Sequence, residues 1–279
     1  MARIAHLSDI HFGAHDPAIV EATHQWLVAH HPDLIIISGD LTQRARVNQF
    51  VQAAAYIDRL RAAGLTLLVV PGNHDVPLYD FVRRIVAPLD RYKQYICQSL
   101  CPSFENDEVA VLGLNTARSL TIKDGRINRE QIKRLNSHFQ PVSAAKTKIL
   151  VTHHPLFAMP IGEGNELSEA VGRHGHAVAA VADAGVHIAL AGHFHRTYAK
   201  AARKMVENAG SALVIQAGTA TSTRLRNNEL QSFNWLHVYK NDDLELQVIA
   251  WDGQQFARCN HIRYVYDGTD WSEQPVVNR

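Results

Sequence analysis

Five short clusters of polar residues carry the side chains most able to do chemistry in this chain. Each cluster follows directly after a run of apolar residues, and together they hold Asp, Asn and His residues of the kinds that bind metal ions. Because these side chains form an oxygen and nitrogen ligand set that includes imidazoles, the pattern favours Mn, Fe, Zn or Co over Ca, Mg or Cu(I). The clusters are Ser8-Asp9-Ile10-His11, Gly39-Asp40, Gly72-Asn73-His74-Asp75, Thr152-His153-His154-Pro155 and Gly192-His193-Phe194-His195.

The number and spacing of the candidate ligands indicate two metal ions rather than one. Seven candidates exceed the roughly four ligands of a typical zinc site. Asp9 and His11 are two residues apart, as are His193 and His195, so on an extended chain both side chains of a pair leave the same face. Two divalent cations with only two carboxylates leave a positive site that attracts a phosphate oxyanion. The seven candidates are Asp9, His11, Asp40, Asn73, His153, His193 and His195.

The elements that must position these clusters alternate between apolar strands and amphipathic helices. The run Leu34–Ile37 is apolar on both faces, which is typical of a buried parallel strand. Asn128 and Gln131 have the spacing of a helix N-cap and its reciprocal partner. Because the carboxyl ends of parallel strands lie along one edge of a sheet, the five clusters are predicted to converge there. Strands are predicted at 4–10, 33–38, 65–70, 109–114, 148–152 and 186–191, and helices at 18–30, 47–63 and 128–139.

The remaining segments are predicted to complete a single domain over residues 1–279. Residues 76–101 are predicted to be helical and to lie outside the main repeat. Residues 196–279 are predicted to complete a second, more antiparallel sheet, with strands at 212–217, 235–239, 245–251 and 261–266. The glycine-rich segment 160–176 is either a lid or a loop without a catalytic role. The walls of a substrate pocket are expected within 76–106, 118–128 and 160–176.

Composition narrows the class of protein. The chain has 279 residues, of which 46% are hydrophobic and 20% charged, and its formal net charge is +1. That balance does not favour nucleic acid as a partner, because nucleic-acid binding usually demands a strong basic excess. The three cysteines argue against a disulfide framework, and Cys97 and Cys101 are expected to be buried thiols. No signal peptide and no apolar run of about 20 residues is visible, so a cytoplasmic protein without a membrane segment is expected.

The order of the five clusters, D-x-H, GD, GNHD, H and GHxH, resembles the calcineurin-like metallophosphoesterase superfamily. The resemblance runs from Asp9 to His195. The sequences GDLT, GNHD and GHFH are similar to those of the bacterial cyclic-nucleotide and glycerophosphodiester phosphodiesterase branch. Ser/Thr protein phosphatases carry a D-R-G sequence after their GD aspartate, and the sequence Leu41-Thr42-Gln43-Arg44-Ala45 after Asp40 disfavours that branch. The resemblance implies an α/β fold with two sheets in an α/β-β/α sandwich, and often a homodimer.

The resemblance also implies a role for each residue. His74 is implied to be the catalytic residue, which does not bind metal but contacts the phosphoryl oxygen or the leaving group. A hydroxide shared by the two ions is implied to attack the phosphorus of a small phosphate ester. The implied ligands are Asp9, His11 and His195 for the first ion, Asn73, His153 and His193 for the second, and Asp40 as the bridge.

Three further residues and the substrate are left with alternatives. Asp75 is expected either to accept a hydrogen bond from a ligand or from His74, or to cap the next helix. Asn115 follows the 109–114 strand and is a candidate to reach the site, and His154 either touches substrate or supports its neighbour. The leading hypothesis is a phosphodiesterase, with a cyclic nucleotide as one candidate substrate. The alternatives are a phosphomonoesterase, a nucleotide-lipid pyrophosphatase, and a non-catalytic scaffold, which would be expected to lack ligands.

Overall fold

Alternating strands and helices make up the first two thirds of the chain, and strands dominate the last third. The computed structural model describes residues 1–119, 124–160, 167–168, 171–172, 174–206, 209–225, 229–239 and 243–276. The helices are α1 (Pro17–His30), α2 (Val47–Ala62), α3 (Phe81–Val86), α4 (Asp90–Tyr95), α5 (Arg129–Phe139) and α6 (His174–Asp183), with 3₁₀ turns at Asn73–Asp75 and Ala202–Lys204.

The strands fall into two large sheets and two small pairs. In chain order they are β1 (Ala2–Leu7), β2 (Leu34–Ser38), β3 (Leu67–Val70), β4 (Ser103–Glu105), β5 (Val109–Gly113), β6 (Gly125–Arg126), β7 (Thr147–Val151), β8 (Met159–Pro160) and β9 (Leu167–Ser168). They continue with β10 (Val171–Gly172), β11 (Ile188–Ala191), β12 (Tyr198–Ala201), β13 (Leu213–Gln216), β14 (Ser232–Val238), β15 (Leu244–Trp251), β16 (Phe256–Tyr266) and β17 (Trp271–Gln274).

Each large sheet has a parallel centre that holds the strands preceding the polar clusters. The first sheet has the order β17-β16-β15-β14-β1-β2-β3, with β1, β2 and β3 parallel. The second has the order β12-β13-β11-β7-β5-β4, with β13, β11, β7 and β5 parallel. Leu7 pairs with Ile37, and Ser38 pairs with Val70, so the three parallel strands of the first sheet end at one edge. The strands β7 and β11 are aligned in the same way, with Val151 paired with Leu190.

Three buried clusters show how the layers stack. The two sheets face each other across a core that includes Ile36 and Leu68 from the first sheet and Ile149 and Val151 from the second. Residues of α1 and α2 pack on the outer side of the first sheet, and residues of α5 and α6 pack on the outer side of the second. The α/β-β/α sandwich predicted for this chain is therefore confirmed. The apolar run Leu34–Ile37 is fully buried because it has a core on each side.

Local signals in the sequence account for the helices beside the site. Asp16 caps α1 by accepting from the amides of Ala18 and Ile19, and Pro17 occupies the first turn. The predicted reciprocal cap of α5 is present, because Asn128 Oδ1 accepts from Gln131 N and Gln131 Oε1 accepts from Asn128 N.

The segment 76–101 is only partly helical, so the prediction that it is helical holds for α3 and α4 alone. It contains only α3 and α4, of six residues each. The helix α3 begins after its N-cap Asp80, so it is not the continuation of a helix that starts at residue 76. It ends at Val86, and Pro88 disfavours helical geometry at the preceding residue, Ala87. Cys97 and Cys101 lie beyond α4 and are half-buried free thiols, not the buried pair expected.

The strands after residue 196 are distributed differently from the prediction. Only β12 and β13 join the second sheet, whereas β14, β15, β16 and β17 extend the first sheet from β1 by antiparallel pairing. The prediction that 196–279 completes the second sheet is thus wrong for its last four strands. The lid question for 160–176 falls mostly outside the described residues. Among the described residues, no helix is both long and apolar enough to cross a membrane.

Candidate metal centre

All seven predicted ligands follow the carboxyl ends of parallel strands. Asp9 and His11 follow β1, Asp40 follows β2, and Asn73 follows β3 in the first sheet. His153 follows β7, and His193 and His195 follow β11 in the second sheet. Because the two sheets pack face to face, these ends meet at one place, and the side chains lie within a few ångströms of one another.

Asp9, His11 and His195 form one cluster of potential ligand atoms. His11 Nε2 and His195 Nε2 are 3.0 Å apart. Asp9 Oδ1 lies 3.1 Å from His195 Nε2 and 3.6 Å from His11 Nε2. One oxygen and two imidazole nitrogens thus converge on one point.

Asn73, His153 and His193 form a second cluster beside the first. Asn73 Oδ1 is 3.0 Å from His153 Nε2 and 3.0 Å from His193 Nδ1. His154 also brings a ring nitrogen within 4.8 Å of those of His153 and His193, so it is a further potential ligand atom of this cluster.

Asp40 lies between the two clusters. Its Oδ2 atom is 3.4 Å from His153 Nε2 and 3.8 Å from His11 Nε2, so a single carboxylate oxygen faces both groups. The potential ligand atoms of Asp9, Asp40 and His153 also lie within 4.8 Å of one another. A carboxylate in this position has the geometry of a bridge between two cations.

The orientation of the two carboxylates fits a metal centre. Asp9 Oδ2 accepts from Ser8 Oγ at 2.5 Å and from His193 N at 3.0 Å, while the buried Oδ1 accepts no hydrogen bond among the described residues. Asp40 Oδ1 accepts from His74 N at 2.8 Å, and Oδ2 faces the cluster. Each carboxylate is thus held by one oxygen and presents the other, which is how outer contacts orient a metal ligand.

Backbone carbonyls orient two of the imidazoles in the same sense. His153 Nδ1 is 2.8 Å from Ser38 O, and His195 Nδ1 is 3.3 Å from Arg224 O. A carbonyl only accepts, so each of these hydrogen bonds places the proton on Nδ1 and leaves the Nε2 lone pair for the cluster. The residues present therefore fit a pair of divalent cations.

Backbone strain is concentrated at the same residues. Seven described non-glycine residues have positive φ, and five of them are predicted ligands. Such conformations cost on the order of 1–3 kcal/mol each and persist where the surroundings hold them. The five are Asp9 (φ 53°), His11 (φ 55°), Asp40 (φ 52°), His193 (φ 78°) and His195 (φ 56°).

These backbone angles correct the expected geometry of the paired ligands. The first strand ends at Leu7 rather than Ile10, and β11 ends at Ala191, so neither pair lies on extended chain. Left-handed turns, rather than the alternation of a strand, bring Asp9 together with His11 and His193 close to His195. The turn after β1 is held by hydrogen bonds from Asp9 N to Gly39 O at 3.1 Å and from His11 N to Asp40 O at 3.0 Å.

The carboxylates and imidazoles of the cluster shift one another's pKa values. Burial raises the pKa of Asp40, but the charge of His153 and the hydrogen bond with it outweigh burial and hold the pKa below its usual range. Burial lowers the pKa of His153, but Asp40 and Asp9 outweigh it and raise the pKa to about 9. Imidazole binds a cation only in its neutral form, so metal binding at this site displaces protons.

His74 lies at the edge of the centre. Its backbone amide donates to Asp40 Oδ1, and its ring packs edge-on against the ring of His11 with centroids 5.0 Å apart. Its Nδ1 is 2.8 Å from Gln43 O, so the proton is on Nδ1 and Nε2 is the nitrogen left for a bound ester.

Asp75 has a role that neither sequence-based alternative described. It accepts from the backbone amides of Leu41 at 3.2 Å, Thr42 at 2.9 Å and Gly72 at 2.9 Å, and from Thr42 Oγ1 at 3.0 Å. It therefore ties the turn that carries Asp40 to the turn that carries Asn73. Burial and the negative charge of Asp40 raise the pKa of Asp75 to about 6, against the effect of its hydrogen bonds.

Replacing Asp75 with Asn is expected to loosen both turns. The amide has one acceptor oxygen in place of two, and its NH₂ group faces backbone amides, so we expect a loss of about 1–3 kcal/mol in the free energy of unfolding. Metal affinity is expected to fall by about 10- to 100-fold, as for other residues that orient ligands. Thermal unfolding and metal titration measure these effects. Asp80→Asn, at the exposed cap of α3, is the matched control, and an Asp75→Asn protein that behaves like this control contradicts the role.

His154 lies beside the second cluster, and Asn115 precedes its hydrogen-bond partner Thr116. The ring of His154 is 4.6 Å from that of His193, and its Nδ1 is 2.8 Å from Thr116 Oγ1. Asn115 is buried, its Oδ1 accepts from Ala117 N at 2.8 Å, and its carbonyl accepts from Gln131 Nε2 at 2.5 Å. Asn115 therefore shapes the loop after β5.

Sequence reasoning missed the residues that hold the Asp9–His11 turn from the far end of the chain. Thr219 Oγ1 donates to Asp9 O at 2.6 Å, and Thr221 Oγ1 donates to Ile10 O at 2.8 Å. Gln216 Nε2 donates to Gly192 O beside His193. The only signal in the sequence was the run of Gly, Ala, Thr and Ser at 217–223 directly after β13, which has the composition of a turn.

A sandwich of two sheets with Asp, Asn and His at five strand ends defines the class of metal-dependent phosphoesterases. A family model of calcineurin-like phosphoesterases matches residues 2–197. The chain therefore belongs to the calcineurin-like phosphoesterase family. The matched range contains all seven predicted ligands, and this fold generally uses two divalent metal ions.

Solved structures agree with the fold. The purple acid phosphatase PPD1 from yellow lupin (Lupinus luteus) seeds is 14% identical with a TM-score of 0.70, over 92% of this chain and 52% of that chain. A dimetal phosphatase from Danio rerio is 11% identical with a TM-score of 0.64, over 95% of this chain and 99% of that chain. A relative found by sequence, the DNA double-strand break repair protein Mre11 of Saccharolobus solfataricus, is 31% identical in an alignment of 108 residues that covers 33% of this chain and 28% of that protein.

Proposed function

We propose that this protein hydrolyses phosphodiesters with two divalent transition-metal ions from the set Mn, Fe, Zn and Co. The observation that carries the proposal is the position of Asp40, whose Oδ2 faces a ligand of each cluster. In this assignment Asp40 would be a ligand of both ions. The other ligands would be Asp9, His11 and His195 for one ion and Asn73, His153 and His193 for the other.

In the proposed hydrolysis, some residues of this chain transfer a proton and others keep the metal ligands in place. When bound, the two ions lower the pKa of a water molecule and offset the charge of phosphoryl oxygens. With both ring nitrogens protonated, His74 donates the Nε2 proton toward the phosphoryl oxygen or the departing alkoxide, and the neutral ring that remains keeps its Nδ1 proton on Gln43 O. Ser38 O and the amides of His74 and His193 keep the ligands fixed while the ester reacts.

A sequence feature favours a diester over a monoester. The chain has Leu41-Thr42 after Asp40, which resembles the cyclic-nucleotide and glycerophosphodiester phosphodiesterase branch. A cyclic nucleotide is one candidate substrate.

A substrate panel tests the reaction. We expect the protein reconstituted with Mn or Zn to hydrolyse bis(nitrophenyl) phosphate faster than nitrophenyl phosphate, and to lose both activities on chelation. A cyclic nucleotide and a glycerophosphodiester in the same panel test the substrate class. Faster hydrolysis of the monoester would replace the phosphodiesterase proposal by a phosphomonoesterase.

Metal content tests the centre itself. We expect close to two transition-metal ions per chain after saturation with Mn or Zn and removal of free metal, because two clusters of potential ligands share Asp40. Elemental analysis against protein concentration measures the ratio. A ratio of one, or none, contradicts the two-metal assignment.

A further inference from the structure

A cavity of about 400 Å³ lies between the segment around α4 and the loop after β5, and the proposed hydrolysis assigns no role to its lining. On one side it is lined by the stretch from Val86 to Lys93 around α4, together with Leu100. On the other side it is lined by the loop after β5, including Asn115 and Arg118. Two of the three segments expected from the sequence to wall a pocket therefore do line one.

The wall formed by the loop after β5 is linked to the metal centre through side-chain contacts. Thr116, next to Asn115, hydrogen-bonds to the ring of His154, which packs against His193. The opposite wall belongs to the chain segment that follows the Asn73–Asp75 turn.

Arg118 is held rigidly at the wall of the cavity. Its Nε and Nη2 atoms donate to Arg126 O at 3.2 and 2.9 Å, and Nη2 also donates to Gln131 Oε1. Gln131 is itself fixed, because it donates to Asn115 O and forms the reciprocal cap with Asn128. The guanidinium therefore cannot easily move to find another partner.

The charge of Arg118 has no carboxylate counterpart among the described residues. The structure gives Nη1 no hydrogen bond, and no salt bridge involves Arg118. Burial lowers the pKa of Arg118, and the nearby charge of Arg126 acts in the same direction. A fixed, half-buried guanidinium without a counter-ion is suited to bind a carboxylate or phosphate group.

The other residues that line the cavity indicate the charge and polarity of such a ligand. Lys93 adds an exposed second cation, and the one acidic residue of the lining, Asp90, faces Arg83 at 3.5 Å. Pro88, Leu89 and Leu100 give the cavity an apolar side. The lining thus combines cations at one part with apolar contacts at another.

We propose that this cavity is a subsite for a second anionic group, a carboxylate or a phosphate, carried on a short apolar stem by the alcohol portion of a phosphodiester. The inference rests on the proposed function, because it specifies the substrate class of the same centre. Arg118 binds the anion with its free Nη1 edge, and Lys93 strengthens the local positive potential.

A pair of symmetric diesters tests the subsite without regard to which alcohol leaves. Bis(carboxybutyl) phosphate carries the anion on both arms, and bis(carbamoylbutyl) phosphate is its neutral match. Hydrolysis by the metal-reconstituted protein is followed by phosphorus NMR. We expect kcat/KM to be about 10- to 100-fold higher for the carboxylate diester, mainly through KM, because hydrogen bonds to charged groups have this strength.

Three variants test whether Arg118 and Lys93 bind the anionic group of the substrate or only pack against neighbouring residues. Arg118→Gln should lower kcat/KM for the carboxylate diester about 10- to 100-fold more than for the carbamoyl diester. Lys93→Glu, which alters no packed contact of the 115–131 region, should lower the same ratio several-fold. Arg129→Gln removes an exposed arginine that does not line the cavity and should leave the ratio as in the unaltered protein.

The outcomes distinguish this inference from the proposed function. Hydrolysis of both diesters with equal efficiency, or a ratio unaffected by Arg118→Gln and Lys93→Glu, overturns the subsite and leaves the phosphodiesterase proposal standing. Hydrolysis of neither diester, together with failure on the nitrophenyl diester, overturns the proposed function and the subsite with it.

Discussion

Replacing Asp40 with Asn is expected to abolish hydrolysis and to reduce metal content at both positions. Asp40 is almost fully buried, and its Oδ2 lies 3.8 Å from His11 Nε2 and 3.4 Å from His153 Nε2. In the variant, the amide oxygen can still accept from His74 N, which leaves an NH₂ group pointing at the ions. That group neither coordinates a cation nor supplies negative charge, so we expect a loss in kcat beyond the about 10- to 100-fold typical of residues that only orient ligands.

Two other variants serve as comparisons for the metal content of Asp40→Asn. Asn73→Ala removes an oxygen that lies 3.0 Å from His153 Nε2 and 3.0 Å from His193 Nδ1, so it should empty mainly one position and leave about one ion per chain. Asp33→Asn removes a carboxylate that binds Arg3 at the opposite end of β2, and it should leave metal content unchanged. Elemental analysis and circular dichroism are measured on all three proteins. Near-normal turnover of a folded Asp40→Asn protein contradicts the bridge.

The place of the site was predictable from the sequence, because it depends on a general property of parallel sheets. Runs such as Leu34–Ile37 identify buried strands, and polar residues that follow several such strands must meet at one edge. The residue types at that edge then limit the chemistry. No long-range contact had to be known to bring Asp40 and Asn73 together, since β2 and β3 are neighbours joined by one helix.

The fine geometry was not predictable in the same way. A two-residue spacing is compatible with an extended strand, yet Asp9 and His11 adopt left-handed turns that Thr219 and Thr221 hold from more than 200 residues away. Asp75 looked like a helix cap or a partner of a ligand, because nothing local shows that three amides from two separate turns point at it. Antiparallel pairing of β14 with β1 is likewise a long-range choice that local alternation does not specify.

His74→Ala is expected to lower kcat by about 10²–10⁴-fold while both metal positions stay filled, which is the range for general acid–base assistance. The backbone amide that donates to Asp40 Oδ1 survives the substitution, so the bridge keeps its orientation. What disappears is the ring that Gln43 O aligns and that packs against His11. His24→Ala, which removes an imidazole from α1 in the outer helical layer, is the control and should leave kcat and metal content unchanged.

The dependence on leaving group decides which task His74 performs. If it protonates the departing oxygen, the loss in His74→Ala should be large for a diester with an alkyl leaving group and small for a nitrophenyl diester, because nitrophenolate departs without a proton. If it stabilises charge on a phosphoryl oxygen, the two losses should be equal with metals retained. If the His74→Ala protein has lost metal, His74 is a metal ligand. Its assignment as a residue that contacts the ester but not the ions would then be wrong.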